Sequence, residues 1–390
     1  MAIPLVYSFR SIAVRKGSSA MAVGGIALVV IVFVTLLALA EGFRHAVASS
    51  GSPNNIIVLR KGSDAELQSQ VSRDDARLIQ QLPLVAENSR GEKTFAAETV
   101  IILARPKKDG GETNITVRGA ARTALEVHND VVITQGRWIT PGTDEAVIGE
   151  SLARRLEGFD VGNTVKIGRY SWRIVGVFKA GGSALESELW MDAEVFMSNF
   201  KRDIYQSVLF RAAGDPRQVK DELNKLIATD PRLRSIEADT EKQYYEDQSK
   251  LMSSLIMVLS GLLSTIMSVG AIVGAMNTMY AAVSQRQREI GCMFSMGFTP
   301  GAIFFAFMIE SLLLASIGAI IGCSVSMFFD GLRTGTTNWA TFSETAFTFY
   351  VTPWILIQAT VLALLMGVIG GVLPAWRASR MKVVDALRRA

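Results

Sequence analysis

The sequence predicts a membrane α-helical protein with four transmembrane helices, arranged one plus three. A large mixed α/β extracytoplasmic domain is inserted between the first helix and the second. Three observations carry this. Membrane-length apolar runs fall once near residues 20–40 and three times between 251 and 374. Between them lie about 200 residues of charge-bearing sequence with the patterning of a globular domain. Basic residues, finally, gather in short segments beside the apolar runs. A bilayer core of about 30 Å takes about 20 apolar residues in a helix. Met21–Ala40 provides such a run without a charge, and 251–283, 303–329 and 351–373 provide three more, with Glu310 their only acid.

The charge distribution orients these spans. The chain of 390 residues has a formal net charge of +4, yet residues 1–19 carry +3, 284–302 carry +1 and 374–390 carry +4. Everything else is therefore net −4, and the excess sits where the positive-inside rule places cytoplasmic loops. Both termini and 284–302 are expected on the cytoplasmic side of a multi-pass inner-membrane protein, with 41–250 and the short 330–350 loop outside. "Periplasmic" then holds if the envelope is Gram-negative. This segregation leaves a nucleic-acid reading of the charge with no support.

Taken in order, residues 1–19 begin with an amphipathic stretch, Pro4–Ser19, readable as an interfacial helix or as a plain basic anchor. The first span, 20–40, is too long for a signal-peptide core and is expected to stay uncleaved. No proline interrupts the sequence from Thr240 to Val283, so the second span, 251–283, is expected to extend outward as a stalk of the 41–250 domain. Lys242, Glu246, Asp247 and Lys250 would then stand in water, a break near Ser249 being the alternative. Glu41–Ser50 extends the first span similarly.

Within the domain, Asn55–Arg60, Thr99–Ala104, Asn114–Arg118 and Glu145–Ile148 read as strands. Val165–Ile167 and Trp172–Phe178 read as a hairpin about Gly168-Arg169-Tyr170. Ser72 caps a helix through Gln81, and Asp215-Pro216 opens another through Ala228. Ser284–Gly297 reads as a short helix in the 284–302 loop, and Thr299-Pro300 starts the third span, 303–329. The fourth, 351–373, precedes a basic tail, 374–390. Trp339, Tyr350, Trp354 and Trp376 fit interfacial aromatic belts.

Few residues invite chemistry. Cys292 and Cys323 fall in different environments and are not expected to pair. His45 and His128, the only histidines, make an imidazole-rich metal site or a Ser–His–Asp arrangement improbable, so no catalytic or metal residues are assigned. No Gly-x-x-x-x-Gly-Lys-Ser/Thr occurs, so no P-loop binds nucleotide here. Three spans hold Gly-x-x-x-Gly: Gly270/Gly274, Gly318/Gly322 and Gly367/Gly371. These suit close helix packing, within one subunit or between two. Asn277 and Glu310 are polar groups in or near the membrane, open to a structural hydrogen bond or, for Glu310, a coupled-proton role.

Asn277-Thr-Met-Tyr-Ala-Ala-Val-Ser-Gln-Arg-Gln-Arg-Glu-Ile-Gly291, with Met296-Gly297, resembles the segment after the second span of MacB/FtsX-like ABC transporter permeases. Pro374-Ala-Trp-Arg-Ala-Ser-Arg-Met-Lys-Val-Val-Asp-Ala-Leu387 is similar to that family's closing motif, with Val383 or Val384 where proline is usual. In the domain, Gly136-Arg-Trp-Ile-Thr, Glu145-Ala-Val-Ile-Gly, Val161-Gly-Asn-Thr-Val-Lys-Ile and Trp172-Arg-Ile-Val-Gly-Val-Phe fit the same family. The resemblance covers nearly the whole chain.

It implies a permease that is not itself an enzyme, working as a homodimer or beside a similar permease. ATP and Mg would be bound by a separate ABC ATPase subunit, since only about 20 residues precede the first span, where MacB carries a fused ATPase. It further implies mechanotransmission, in which ATPase closure moves the stalks and reshapes the outer domain. Arg286, Arg288, Glu289 and Ile290 would receive that stroke, with Met296 and Gly297 closing the helix. Export with a periplasmic adaptor is the first expectation. The alternatives are a Lol-type extractor of lipoprotein or lipid, an FtsX-like transmitter controlling a cell-wall hydrolase, and a membrane-anchored binding protein outside the ABC class.

Overall fold

The computed structural model describes residues 16–108, 110–128, 130–337 and 343–381. The expected amphipathic helix before Lys16, Trp339 and the tail beyond Met381 lie outside them. The chain forms two compact units. One comprises the described parts of 1–41, 255–332 and 349–390, and the other comprises 42–254 and 333–348.

Helices of two turns or more are numbered here, with all strands, in chain order. α1 is Lys16–Ala48, followed by β1 (Asn55–Arg60), β2 (Val71–Ser72) and α2 (Arg73–Gln80). Ser72 caps α2 in a reciprocal capping box with Asp75. β3 (Phe95–Pro106), β4 (Glu112–Ala120), β5 (Val132–Gly136), β6 (Glu145–Gly149), β7 (Thr164–Ile167), β8 (Tyr170–Lys179) and β9 (Glu188–Asp192) follow. Then come α3 (Ala193–Phe200), β10 (Ile204–Tyr205), β11 (Ser207–Arg211), α4 (Pro216–Thr229) and β12 (Ile236–Thr240). α5 (Glu241–Gln285), α6 (Gln287–Ser295), α7 (Pro300–Ser326), β13 (Arg333–Thr337), β14 (Glu344–Thr348) and α8 (Pro353–Ser379) complete the chain.

In the extracytoplasmic unit one mixed sheet runs β12-β1-β11-β3-β4-β9-β6-β8-β5, with β7 on β8. The β4/β9 and β6/β8 pairs are parallel. Alternation sorts its side chains. Ile56, Val58, Phe210 and Ala238 turn to one face and join Ile79 of α2 and Leu223 and Ile227 of α4 in a core. At the other end, Trp172 packs with Ile148, Ile174 and Phe196, while Trp190 packs with Phe178 and Val147. The predicted hairpin turns on Gly168, whose φ of +64° suits glycine. β12 is an edge strand, and the Asn224 side chain of α4 both accepts from Ala238 N and donates to Ala238 O.

α1, α5, α7 and α8 are long and apolar enough to cross a membrane. α5 continues through Ser249 without a break. Its 45 residues correspond to about 68 Å at 1.5 Å per residue. Of the four charged residues expected in water on its first turns, Lys242, Asp247 and Lys250 are exposed and Glu246 is half-buried. The 330–350 segment, expected only as a short loop, contains the β13–β14 hairpin. Its Thr345 and Phe347 turn inward while Thr348 faces out, a half-buried alternation.

Candidate functional site

Where the second span ends, the helix breaks at Arg286 and restarts as α6. The Met296 N–H donates to Cys292 O, and Gly297 at φ +90° turns the chain out of the helix. Thr299 then caps α7, its side chain accepting from Ala302 N, with Pro300 at the first helical position. α6 buries Ile290 and Met293 among Met279, Val283, Ile303, Phe307, Ala375 and Ala378. Arg288, Glu289, Cys292, Ser295, Met296 and Gly297 are exposed on its other side.

Arg286 belongs to the inner side. It is 7% exposed, and its Nη1 donates to Glu310 Oε2 at 2.9 Å while its Nε reaches Glu289 Oε2 at 3.1 Å. The guanidinium also lies over the Phe307 ring, 5.3 Å from its centroid. Glu310 thus has a cationic partner two helices away in sequence, the arrangement required of a carboxylate at membrane depth. Together the pair pins the start of α6 to α7. Asn277 is exposed.

The three glycine motifs differ. A side chain at Gly318 or Gly322 would run into Ile26 or Val30 of α1. One at Gly367 or Gly371 would strike Ala315 or Ser311 of α7, where Ser311 Oγ also donates to Gly367 O at 2.6 Å. Around Gly270 and Gly274 the space is open with respect to the described residues.

Sequence reasoning missed a buried ionic network in the other unit. The register that pairs Val100 with Arg118 and Thr116 with Glu188 turns Glu98, Arg118 and Glu188 to one face of adjacent strands. Arg118 donates to Glu188 through Nε at 2.7 Å, to Glu98 at 2.8 Å and to Glu66 at 3.0 Å. His128 Nε2 lies 3.1 Å from the other Glu98 oxygen, and Trp190 Nε1 donates to Glu188. At the edge of this network stands Glu241, the first residue of α5. It accepts from Ser52 N at 3.0 Å and Asn55 Nδ2 at 2.8 Å, and its other oxygen is 4.0 Å from His128 Nδ1. The chain leaving α1 and the start of α5 are thereby tied together.

Burial would raise the Glu98 carboxyl, but the charges of His128 and Arg118 beside it hold it at about 2. Burial would likewise lower His128, and Glu98 overcomes this, raising it above its ordinary 6.5. Only the alternation of Glu98 and Arg118 within apolar strands hinted at this; the partners come from register and from distant loops.

Comparison with known proteins adds two family matches. Residues 19–226 match the MacB-like periplasmic core domain, and residues 261–383 match the FtsX-like permease C-terminal domain. The macrolide export ATP-binding/permease protein MacB of Bdellovibrio bacteriovorus is 26% identical over 97% of this chain and 60% of its own length. The ABC transporter permease YknZ of Bacillus subtilis is 26% identical over 71% of this chain and 70% of its own. The chain thus spans about three-fifths of the curated MacB relatives it matches. Among solved structures, the extracellular domain of YknZ aligns at 20% identity with a TM-score of 0.36, over 48% of this chain and all of that one. The periplasmic region of MacB from Actinobacillus actinomycetemcomitans aligns at 12% identity with a TM-score of 0.39, over 50% of this chain and 92% of that one. With both family models matched in order along four apolar helices and an inserted α/β domain, this chain belongs to the MacB/FtsX-like ABC transporter permeases.

Proposed function

We propose that the chain is the permease subunit of a MacB-type ABC system. ATP hydrolysis by a partner ATPase subunit, which binds the ATP and Mg, is coupled through the permease to a change in its extracytoplasmic domain, driving export or extraction of a substrate. The permease works as a dimer, with both termini on the cytoplasmic side and a periplasmic adaptor beside the domain.

The observation that carries this reading is α6 itself. A two-turn helix with Ile290 and Met293 sunk into the bundle and Arg288, Glu289 and Met296 outward is built to be pushed. Arg286 and Glu310 brace it from behind. α5 leads from this point to Glu241 as one helix, a stiff element for carrying displacement.

The test is co-purification of the tagged chain with its candidate ATPase, measuring ATPase activity in lipid for wild type and for Arg288→Glu/Glu289→Arg. The wild type is expected to associate and the double reversal to lose association and stimulation. Full retention by the variant would remove α6 as the receiving element, and absence of any associating ATPase would overturn the reading.

A further inference from the structure

The β13–β14 hairpin connects α7 to α8, yet it folds with the extracytoplasmic unit. Its Glu344 is the most heavily paired of the contacts that hold it there. Lys107 Nζ lies 2.7 Å from Glu344 Oε2, Thr113 Oγ1 donates to that same oxygen, and Arg155 pairs with Oε1. These three donors come from the end of β3, from β4 and from the segment after the single-turn helix Glu150–Ala153. Glu344 therefore sits on the seam where Lys107 and Thr113 meet that segment, at the Lys107–Leu156 bridge.

The hairpin backbone is shaped for this contact. Gly335 lies beneath Glu344, where a Cβ would come within 2.8 Å of Oε1. Further along, Ala346 N donates to Ser187 Oγ at 2.9 Å, and the Phe347 ring stands edge-on to Phe43 at 5.7 Å. Ser343 and Thr345 line a cavity of about 40 Å³ together with Glu66, Arg118 and Glu188, so the hairpin roofs the ionic network. Burial alone would raise the Glu344 carboxyl, but Lys107, Thr113 and Arg155 hold it below the ordinary carboxylate range, so it stays charged in the contact.

We propose that this hairpin is a clasp through which the third and fourth spans act directly on the extracytoplasmic domain, and that Glu344 is its positioning residue. Four residues separate Thr348 from Pro353, and an extended tetrapeptide reaches at most about 14 Å. Displacement of α8 that would carry Pro353 beyond that reach is delivered to β14, and Glu344 passes it to β3, β4 and the 150–156 segment. The stalk helices are then not the sole route by which a stroke at α6 reaches the domain. This rests on the transmission reading above.

The test uses the full chain in lipid nanodiscs, alone and with its ATPase, comparing wild type, Glu344→Gln, Arg155→Gln and the charge-conserving Glu344→Asp. Hydrogen exchange reads out 333–337, 343–348, 95–120 and 150–156. Without ATPase, Glu344→Gln and Arg155→Gln should speed exchange in the hairpin about tenfold or more, the scale of a lost charge-assisted contact, while α2 and α4 keep their protection as a folding control. Glu344→Asp, which keeps the negative charge beside Lys107 and Arg155, should retain most of that protection. Hairpin protection unchanged in both glutamine variants would overturn the clasp.

With ATPase and nucleotide, the two glutamine variants should still bind and hydrolyse. They should lose the nucleotide-dependent change at 95–120 and 150–156, and Glu344→Asp should keep it. A purely structural Glu344 would leave that change intact, and the coupling role would fall. If wild type itself shows no such change, the transmission reading fails and the coupling role with it, whatever the hairpin's own protection shows.

Discussion

Two side-chain groupings decide how this protein handles buried charge. In the bundle, Arg286 and Glu310 neutralise each other at 8% and 5% side-chain exposure. Removing one partner leaves an uncompensated buried charge, at a cost of about 3–5 kcal/mol, whereas a well-packed apolar pair of similar volume is often tolerated. Arg286→Met is therefore expected to lower the unfolding midpoint of the full chain in detergent markedly. Arg286→Met/Glu310→Leu should restore most of it; equal loss in both would show that the pair does more than neutralise itself. In the domain, Glu98 and His128 set opposite pH limits. The stabilisation from Glu98, depressed to about 2, is present above its ordinary 4.5 and fades as pH falls toward 2. That from His128, raised above 6.5, is complete below 6.5 and is lost as pH climbs through its folded value. Burial raises the Glu241 carboxyl to about 7, so its contribution is also lost as pH rises toward that value, and protection of β3 and β4, corrected for intrinsic exchange, should be highest near pH 4.5 and decline on the alkaline side. His128→Gln should reduce the part of that decline above pH 7, and a flat wild-type profile from pH 6 to 9 would exclude the linkage.

At the scale of elements, the glycines sort the helices by what they touch. Gly322 lies so near α1 that a Cβ would fall 2.6 Å from Val30 Cβ, whereas Gly274 has open space about it among the described residues. Gly322→Leu should force α1 and α7 apart at a cost of roughly 1–3 kcal/mol, and Gly274→Leu should leave monomer stability near wild type. Thermal unfolding in detergent separates the two, and equal losses would refute the distinction. The element pattern itself was largely legible. The 20–40 and 251–283 runs, the cap at Ser72, the Asp215-Pro216 start and β1 at Asn55–Arg60 all carry local signals that tertiary context did not override. The β13–β14 hairpin was not legible, because Arg-Thr-Gly-Thr-Thr and Glu-Thr-Ala-Phe-Thr are short, polar segments whose pairing depends on a partner surface.

For the whole molecule, the insertion of a charge-bearing α/β domain between the first apolar run and the other three was readable from composition, whereas the grouping of 333–348 with that domain was not. The ionic network was not, because it needs Glu66, Glu98, Arg118, His128, Glu188 and Glu241 brought together by register and by loops. Arg286 shows the same limit: its motif draws attention to it, but only packing reveals that it turns inward while Arg288 turns outward. One detail of the outer sheet reaches beyond folding. Asn224 takes both backbone bonds of Ala238 on the open side of β12, imitating with one amide what a neighbouring strand would offer. The sheet is stoppered at that end. A strand offered there by a peptide or a second copy meets Ala238 already satisfied on both its donor and its acceptor. At that point of the edge any contact falls to side chains, which makes the flank less adhesive than a bare strand would be.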